Sequence, residues 1–147
     1  MIKLSVIIPC RNEFPNVVHT MHSIFNCWEA DGFDPNEIEI ILVSNCSDDD
    51  YWNYPKLGDK GTTTYLMGRG AYYAGRLKVL YDPIAGNHSA RNKGARIAQG
   101  KYVFFSDGHM SYGPGAFKNS MQTVDESGGL VHMVIAWMGA YPPSPSG

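Results

Sequence analysis

NHSARNKGARIAQGKYVFFSDGH, residues 87–109, carries the strongest structural signal in this chain. Its pattern predicts a polar loop, a helix over residues 90–99 and a buried strand over residues 101–105. Asp107 and His109 follow that strand, two residues apart. Open α/β sheets bind ligands outside the carboxyl ends of their strands, and a carboxylate beside an imidazole suits Mn²⁺ or a similar ion. The stretch therefore predicts an α/β protein that holds a divalent cation against a diphosphate.

The rest of the chain alternates between strand and helix patterns. Short apolar, β-branched runs predict further strands, over residues 4–9, 38–43, 77–81 and 130–138. Apolar positions at helical spacing predict further helices over residues 16–28 and 114–126, followed by Gly32 and by Gly128-Gly129. We expect Gly100 to close the helix over residues 90–99 in the left-handed conformation. This alternation predicts a mainly parallel sheet with helices on both faces, a three-layer α/β/α sandwich.

Length and composition limit the class of protein. The 147 residues suit a single domain over residues 1–140, followed by a Pro/Ser-rich tail over residues 141–147. A net charge of -2 with 18% charged residues argues against a nucleic-acid-binding protein, which needs a basic patch. No apolar run reaches the ~18 residues of a membrane span, and we expect no signal peptide. The three cysteines lack C-x-x-C spacing, so we expect free thiols in a cytoplasmic protein.

Motifs for other nucleotide-binding chemistries are missing. CRNEFPN, residues 10–16, follows the first predicted strand and contains no glycine, so the tight pyrophosphate turn of a dinucleotide-binding fold is excluded. The phosphate-binding loop G-x-x-x-x-G-K-[ST] does not occur either. A diphosphate bound by this chain would therefore need a cation, which again indicates Asp107 and His109.

Four blocks of sequence, taken together, resemble a known enzyme family. They are SVIIPCRNE over residues 5–13, VSNCSDD over 43–49, ARNKGARIAQGKYV over 90–103 and FFSDGH over 104–109. Their order resembles the nucleotide-sugar half of a GT-A glycosyltransferase, and family 2 of these enzymes in particular. The resemblance implies a Rossmann-like GT-A domain that binds a nucleotide sugar, usually a UDP-sugar, through Mn²⁺ or Mg²⁺.

The resemblance also assigns roles to residues in the nucleotide pocket. Pro9, Arg11 and Glu13 fall where such enzymes shape the base and ribose pocket. Asn45 stands near the position of an acid that accepts the uracil N3–H, and its amide oxygen could accept that proton more weakly. Arg91 matches the position that approaches the nucleotide phosphates.

The metal motif departs from the common pattern of the family. Asp107 matches the first acid of its D-x-D motif, whereas His109 replaces the second acid and gives a D-x-H variant. An imidazole nitrogen is a good ligand for Mn²⁺ and a poorer one for Mg²⁺. We therefore expect Mn²⁺ as the cofactor, with Mg²⁺ supporting weaker binding.

Each of these residues also has a structural interpretation. Asp107 could close the turn after a strand, because Asp-Gly is common turn chemistry, and Glu13 could be a first-turn acid of the following helix. Arg91 could pair with surface acids. The acidic run over residues 48–50 is typical of a solvated helix start, and His132 is more typical of a core histidine than of a third metal ligand.

The expected function is transfer of a hexose from a UDP-hexose to an unknown acceptor, with slow donor hydrolysis where no acceptor site forms. Members of the family usually continue further and carry an acceptor site and an acidic base there. Asp125 and Glu126 are the last carboxylates of this chain and match no such base, so the base is unknown. The alternative is a non-catalytic module that binds a nucleotide sugar and lacks the acceptor half. A nucleotidyltransferase is disfavoured because the glycine-rich loop is missing.

The strand predicted over residues 130–138 also bears on assembly. Its residues are largely apolar on both faces, as in a strand that is covered on both sides. Large exposed apolar surfaces usually mark interfaces. We therefore expect self-association into a homo-oligomer, or else poor solubility of a fragment cut from a longer protein.

Overall fold

The computed structural model describes residues 1–48, 73 and 75–128. Its elements are β1 Leu4–Cys10, α1 Asn16–Ala30, a short 3₁₀ turn Pro35–Glu37, β2 Ile38–Asn45, β3 Leu77–Asp82, α2 Asn87–Ile97, β4 Tyr102–Phe105 and α3 Ala116–Glu126. The predicted strand over residues 130–138, with His132 and the expected oligomer surface, lies outside the described residues. So does the tail over residues 141–147.

The four described strands form one parallel sheet in the order β3-β2-β1-β4. Leu4 of β1 lies opposite Ile38 of β2 and Tyr102 of β4. β1 is therefore central, and all seven of its residues are buried. Because the strands are parallel, their last residues all meet at one end of the sheet. We call this the carboxyl end, and the opposite end the amino end.

Helices cover both faces of the sheet. On one face, α1 and α3 pack against alternate residues of β1, with Trp28 and Phe117 among the fully buried side chains. On the other face, Ala90 of α2 packs against Ile7 of β1 and Val43 of β2. The predicted three-layer α/β/α fold is confirmed.

Two glycines allow α2 and its following turn to lie close to β1. A Cβ added to Gly94 would lie 2.6 Å from Ile7 Cγ2, and one added to Gly100 would lie 2.5 Å from the backbone nitrogen of Ser5. The predicted left-handed cap at Gly100 is wrong, because α2 ends at Ile97 and the next residue, Ala98, is already extended. Gly100 is required by the close approach of two backbones, which no local pattern reveals.

The other helix ends agree more closely with the sequence. Gly32 and Gly128 follow α1 and α3 in the left-handed conformation, as helix-closing glycines do. The start of α3 was predicted at Pro114, but Gly115 adopts a left-handed conformation and the helix begins at Ala116. Of the described helices, none has the length and apolar character that a membrane-spanning segment needs.

A buried carboxylate fastens the amino end of the sheet. Glu39 of β2 accepts hydrogen bonds from Ser5 Oγ at 2.6 Å and from the backbone nitrogen of Gln99 at 2.8 Å, and Lys78 Nζ lies 2.6 Å from its other oxygen. Ser5 Oγ in turn accepts from the backbone nitrogen of Gly100 at 2.8 Å. We call these five residues the Glu39 network. It ties three strands to the turn that leads into β4.

Burial alone would raise the pKa of Glu39. The hydrogen bonds from Lys78, Ser5 and Gln99 and the nearby ammonium charge outweigh burial, and the pKa lies below its ordinary value. The carboxylate therefore stays charged inside the fold and holds β4 in register with β1.

Candidate functional site

The turn after β4 presents two polar side chains to solvent. Asp107 and His109 are exposed, whereas Ser106 and Gly108 are buried. Ser106 Oγ donates to the carbonyl of Asp107 at 2.9 Å and accepts from Tyr112 Oη at 2.7 Å. Within the described residues, the Asp107 carboxylate has no hydrogen bond or salt bridge. The backbone of the turn is thus held from within while its carboxylate and imidazole remain available to a ligand.

A row of side chains on α1 and on Asp31, the residue just after it, holds the segment that follows His109. The contacts run from Thr20 Oγ1 to the nitrogen of Met110 (2.9 Å), Ser23 Oγ to the nitrogen of Tyr112 (2.7 Å), Cys27 Sγ to the carbonyl of Gly113 (3.0 Å) and Asp31 Oδ1 to the nitrogen of Gly115 (2.7 Å). These residues are spaced three or four apart and share one side of the helix. This row was not predicted from the sequence, although polar residues at helical spacing beside the apolar face could have indicated it.

The loop after β1 packs against the turn after β4. His109 Nδ1 lies 3.3 Å from Glu13 Oε1. A Cβ added to Gly108 would lie 3.1 Å from Glu13 Cγ and 3.4 Å from the Cβ of Cys10. The resemblance assigned Glu13 to the base and ribose pocket, and the structure places its carboxylate beside the imidazole of the D-x-H motif.

The loops after β1 and β2 are fastened to each other. Asn12 and Cys46 both have positive φ, 52° and 53°, which is uncommon outside glycine and marks sharp turns. Asn12 Oδ1 accepts from the backbone nitrogen of Asp48 at 2.9 Å, Asn12 Nδ2 donates to the Asp48 carboxylate, and the Asn12 backbone nitrogen donates to Ser47 Oγ at 3.2 Å. Asp48, expected at a solvated helix start, therefore joins two loops of the carboxyl end. The other two acids of its run lie outside the described residues.

Asn45 is buried at the end of β2 and holds the loop that leads into α2. Its Nδ2 donates to Asp82 Oδ2 at 3.1 Å and to the carbonyl of Ile84 at 2.7 Å, and its Oδ1 accepts from the nitrogen of Gly86 at 2.9 Å. The sequence did not reveal this structural role. One acceptor position of Oδ1 remains for a ligand, and its use by a base stays a prediction.

Asp82 is the buried partner of Asn45. Burial by itself would raise its pKa, but hydrogen bonds from Ser89, from the backbone of Ile84 and from Asn45, together with the charge of Lys93, hold the pKa below its ordinary value. Asp82 is therefore a charged anchor for the start of α2 and not an exposed ligand.

Arg91 of α2 reaches the same end of the sheet. Its Cζ lies 5.7 Å from the ring centroid of Phe105, the last residue of β4. Its Nε is buried and has no hydrogen-bond partner within the described residues, although buried donors are normally paired. Arg91 also makes no salt bridge there, so the alternative that it pairs with surface acids has no support in this part of the chain.

The carboxyl end thus brings together some of the predicted residues and separates others. Glu13 lies beside His109, and Pro9 is buried in β1 with the exposed Arg11 just after it. No three His, Cys, Asp or Glu side chains within residues 1–48, 73 and 75–128 form a group that could hold a metal ion. A metal site at Asp107 and His109 therefore stays a prediction.

The late carboxylates of α3 lie elsewhere. Asp125 accepts a hydrogen bond from Tyr102 Oη, and Lys101 Nζ lies 3.6 Å from it. Both of these residues stand at the start of β4, so Asp125 belongs to the amino end. Glu126 accepts from Gln122 within α3.

Comparison with known proteins places this geometry in context. The family model described as glycosyl transferase family 2 matches residues 5–137. A comparison with curated proteins gave no match.

Solved structures share the fold. Residues 1–349 of TarS from S. aureus match with a TM-score of 0.63 at 23% identity, covering 85% of this chain and 33% of that one. The same region in complex with UDP-GlcNAc matches with a TM-score of 0.62 at 22% identity, over 85% and 32%. The mannosyltransferase PcManGT from Pyrobaculum calidifontis, in complex with GDP-Man and Mn²⁺, matches with a TM-score of 0.61 at 19% identity, over 83% and 32%. The chain spans about a third of the length of these proteins. The predicted GT-A fold is confirmed.

Proposed function

Because the chain belongs to glycosyltransferase family 2, we propose that it transfers a hexose from a UDP-sugar in a reaction that depends on Mn²⁺ at Asp107 and His109. The observation that carries the proposal is the turn after β4. This turn exposes a carboxylate and an imidazole at the carboxyl end of a parallel sheet, where α/β proteins bind their ligands.

The chemistry of the two side chains fits a manganese ion. The Asp107 carboxylate has no hydrogen bond or salt bridge within the described residues, and His109 keeps Nε2 free when Nδ1 faces Glu13. One carboxylate and one imidazole suit Mn²⁺ better than Mg²⁺, and two protein ligands leave positions for diphosphate oxygens and water. When bound, the ion would supply positive charge against the leaving diphosphate. PcManGT, which shares the fold, is known in complex with GDP-Man and Mn²⁺.

Arg91 would supply further positive charge to the same diphosphate. Its buried, unpartnered Nε is a donor that a phosphate oxygen would satisfy, and guanidinium–phosphate hydrogen bonds are among the stronger ones in proteins. The Phe105 ring beneath the guanidinium limits the positions that the side chain can take. Arg91 therefore binds and orients the phosphates.

The sheet order suggests how the nucleotide lies. β1 separates β2, which ends at Asn45, from β4, which leads to Asp107. Strands are spaced about 4.8 Å apart, so the two sites are about 10 Å apart across the sheet. With the diphosphate at β4, the base reaches the Asn45 side, where an amide oxygen accepts the N3–H of uracil but not the N3 of cytosine. TarS, which shares the fold, is known in complex with UDP-GlcNAc.

A specific observation favours a second candidate, a non-catalytic module that binds the nucleotide sugar. The late carboxylate Asp125 is paired with Lys101 and Tyr102 at the amino end, so it cannot serve as the base of a transfer reaction at Asp107. A module without a base would bind UDP with Mn²⁺ and would not turn over its donor.

One experiment tests the site and separates the two candidates. Calorimetry with UDP measures binding with Mn²⁺ and with EDTA, and UDP release from UDP-glucose, UDP-galactose and UDP-GlcNAc measures turnover. We expect Mn²⁺-dependent binding that Asp107→Asn removes and that Asp125→Asn, a matched change at the opposite end of the sheet, leaves intact. Turnover supports the enzyme, and binding without turnover supports the module. Equal UDP affinity with Mn²⁺ and with EDTA would contradict the proposal.

A further inference from the structure

We infer that Glu13 is a positioning residue for His109. Its carboxylate accepts a hydrogen bond from Nδ1–H and thereby leaves the Nε2 lone pair available to a metal ion. The inference rests on the proposed function, because it concerns how the same two-ligand site is prepared for its ion. It assigns Glu13 a role that differs from shaping the base and ribose pocket.

The geometry makes Glu13 the fixed member of the pair. Glu13 Oε1 lies 3.3 Å from His109 Nδ1, and the exposed fraction of the side chain is 25% for Glu13 against 58% for His109. The Glu13 carbonyl accepts from the backbone nitrogen of Val17 at 2.9 Å, which anchors the residue to the start of α1. The missing Cβ of Gly108 lets the Glu13 stem lie against the turn. A more buried carboxylate therefore faces a more exposed imidazole.

The chemistry of the two groups then determines the tautomer of the imidazole. A neutral imidazole carries one N–H and one lone pair, and a carboxylate only accepts hydrogen bonds. With Nδ1 facing Glu13, the proton must be on Nδ1 and the lone pair on Nε2. Metal-binding histidines commonly donate their second nitrogen to a carboxylate in this way, and loss of the carboxylate lowers metal affinity roughly 10- to 100-fold.

Other interpretations of Glu13 agree less well with the structure. A stabilising first-turn acid is not supported, because α1 begins after Glu13 and has no acidic residue in its first turn. A third metal ligand is not supported either, because Glu13, Asp107 and His109 do not form a metal-binding group of three in the described part of the chain. A wall of the base and ribose pocket would affect UDP affinity whether or not a metal is present.

The test measures Mn²⁺ affinity directly, by the electron paramagnetic resonance signal of free Mn²⁺ at a fixed UDP concentration. We expect Glu13→Ala to weaken Mn²⁺ binding about 10- to 100-fold. Glu13→Gln should retain most of the Mn²⁺ affinity, because its amide oxygen still accepts a hydrogen bond from Nδ1–H. In a His109→Ala background, Glu13→Ala should have no further effect. Glu126→Ala is the matched control, since that exposed glutamate accepts its hydrogen bond from Gln122 within α3.

A second measurement needs neither metal nor activity. Long-range ¹⁵N–¹H spectra of the metal-free protein with a neutral imidazole report which ring nitrogen of His109 carries the proton. We expect the Nδ1–H tautomer in the wild-type protein and loss of that preference in Glu13→Ala.

The outcomes distinguish the two proposals. If the wild-type protein binds UDP with Mn²⁺ and Glu13→Ala binds Mn²⁺ equally well, the role of Glu13 is overturned and the proposed function stands. If Glu13→Ala lowers UDP affinity equally with Mn²⁺ and with EDTA, Glu13 belongs to the nucleotide pocket instead. If the wild-type protein binds UDP without regard to Mn²⁺, the proposed function itself fails, and the positioning role fails with it.

Discussion

The two ends of this parallel sheet differ in how their carboxylates are buried and paired. At the amino end, Glu39 is 1% exposed, and Ser5, Lys78 and the backbone of Gln99 satisfy its carboxylate. At the carboxyl end, Asp107 is exposed and has no hydrogen bond or salt bridge within the described residues. A buried carboxylate is tolerated only when it is paired, and a functional one must keep its binding capacity for the ligand. The Glu39 network therefore stabilises the fold, whereas Asp107 adds no such pairing and is the carboxylate for which we propose a function.

Asn45 shows that a polar residue at the carboxyl end can also be engaged in hydrogen bonds within the fold. It lies at the carboxyl end, but its amide is almost fully used by Asp82, Ile84 and Gly86. It supports the loop before α2, and through that loop the helix that carries Arg91. The carboxyl end thus also contains buried polar groups, Asn45 and Asp82, whose hydrogen bonds are made within the fold.

The largest effect is expected from breaking the Glu39 network. Glu39→Ala leaves Lys78, Ser5 and the Gln99 amide without their common partner, and removal of one member of a buried ion pair costs about 3–5 kcal/mol. Urea denaturation should show a loss at the lower end of this range, since Lys78 is 31% exposed. Glu37→Ala, a less buried acid two residues earlier, should change the free energy of unfolding by under about 0.5 kcal/mol. A cost below about 1 kcal/mol for Glu39→Ala would remove the contrast between the two ends.

Asp107→Asn should lower ligand affinity and leave the free energy of unfolding nearly unchanged. We expect a loss of several kcal/mol of Mn²⁺-dependent UDP affinity, because the proposed metal ligand and its charge are removed. The free energy of unfolding should stay within about 0.5 kcal/mol of the wild-type value, as for surface substitutions in general. Calorimetry and urea denaturation on the same preparation check both numbers. A large loss of stability would show that Asp107 is structural.

Asn45→Asp should show that a residue at the carboxyl end can be structural. The new carboxylate would face Asp82 and would leave the Ile84 carbonyl without its donor, at a cost of about 1–3 kcal/mol in the free energy of unfolding. Asn26→Asp on the exposed side of α1 is the control and should be close to neutral. A stable Asn45→Asp protein with tighter UDP binding would instead favour a direct role for position 45 in reading the base.

Acid should lower the free energy of unfolding by protonating Glu39 and Asp82. The folded-state pKa values of Glu39 and Asp82 lie below the ordinary values of 4.5 and 3.8. Their stabilisation is therefore fully present above those values and is lost as the pH falls through the lower folded-state pKa values. Each group contributes at most about 1.4 kcal/mol per pH unit. Glu39→Gln should flatten the decline of stability below pH 4.5, and an unchanged slope in acid urea titrations would contradict this assignment.

The smallest effect is expected from Asp125→Asn. The Asp125–Lys101 pair is exposed on both sides, 57% and 68%, and exposed ion pairs add little to stability. Neither the melting temperature nor UDP binding should change measurably. A clear loss of UDP release from the UDP-sugar donor would show that the amino end contributes to the reaction after all.

The local patterns of the sequence determined the elements and part of the site. Runs such as residues 4–9 and 38–43 are apolar and β-branched, and α1 repeats its apolar residues at helical spacing, so short windows sufficed to identify them. The placement of Asp107 and His109 just after a strand was equally local. Because parallel strands end on one side, their position at the carboxyl end followed from the fold class.

Only the tertiary structure decided which polar groups meet. Glu13 and His109 are 96 residues apart in the chain, and Ser5 and Gly100 are 95 apart, so no periodic pattern connects them. Gly100 was mistaken for a helix cap because its φ and its packing depend on β1, which lies far away in sequence. Asn45 could be recognised as polar and well placed, but its use by Asp82 and Gly86 depended on how β3 and α2 pack. Side-chain partners are set by the packing of distant elements, and this is where the sequence alone was insufficient.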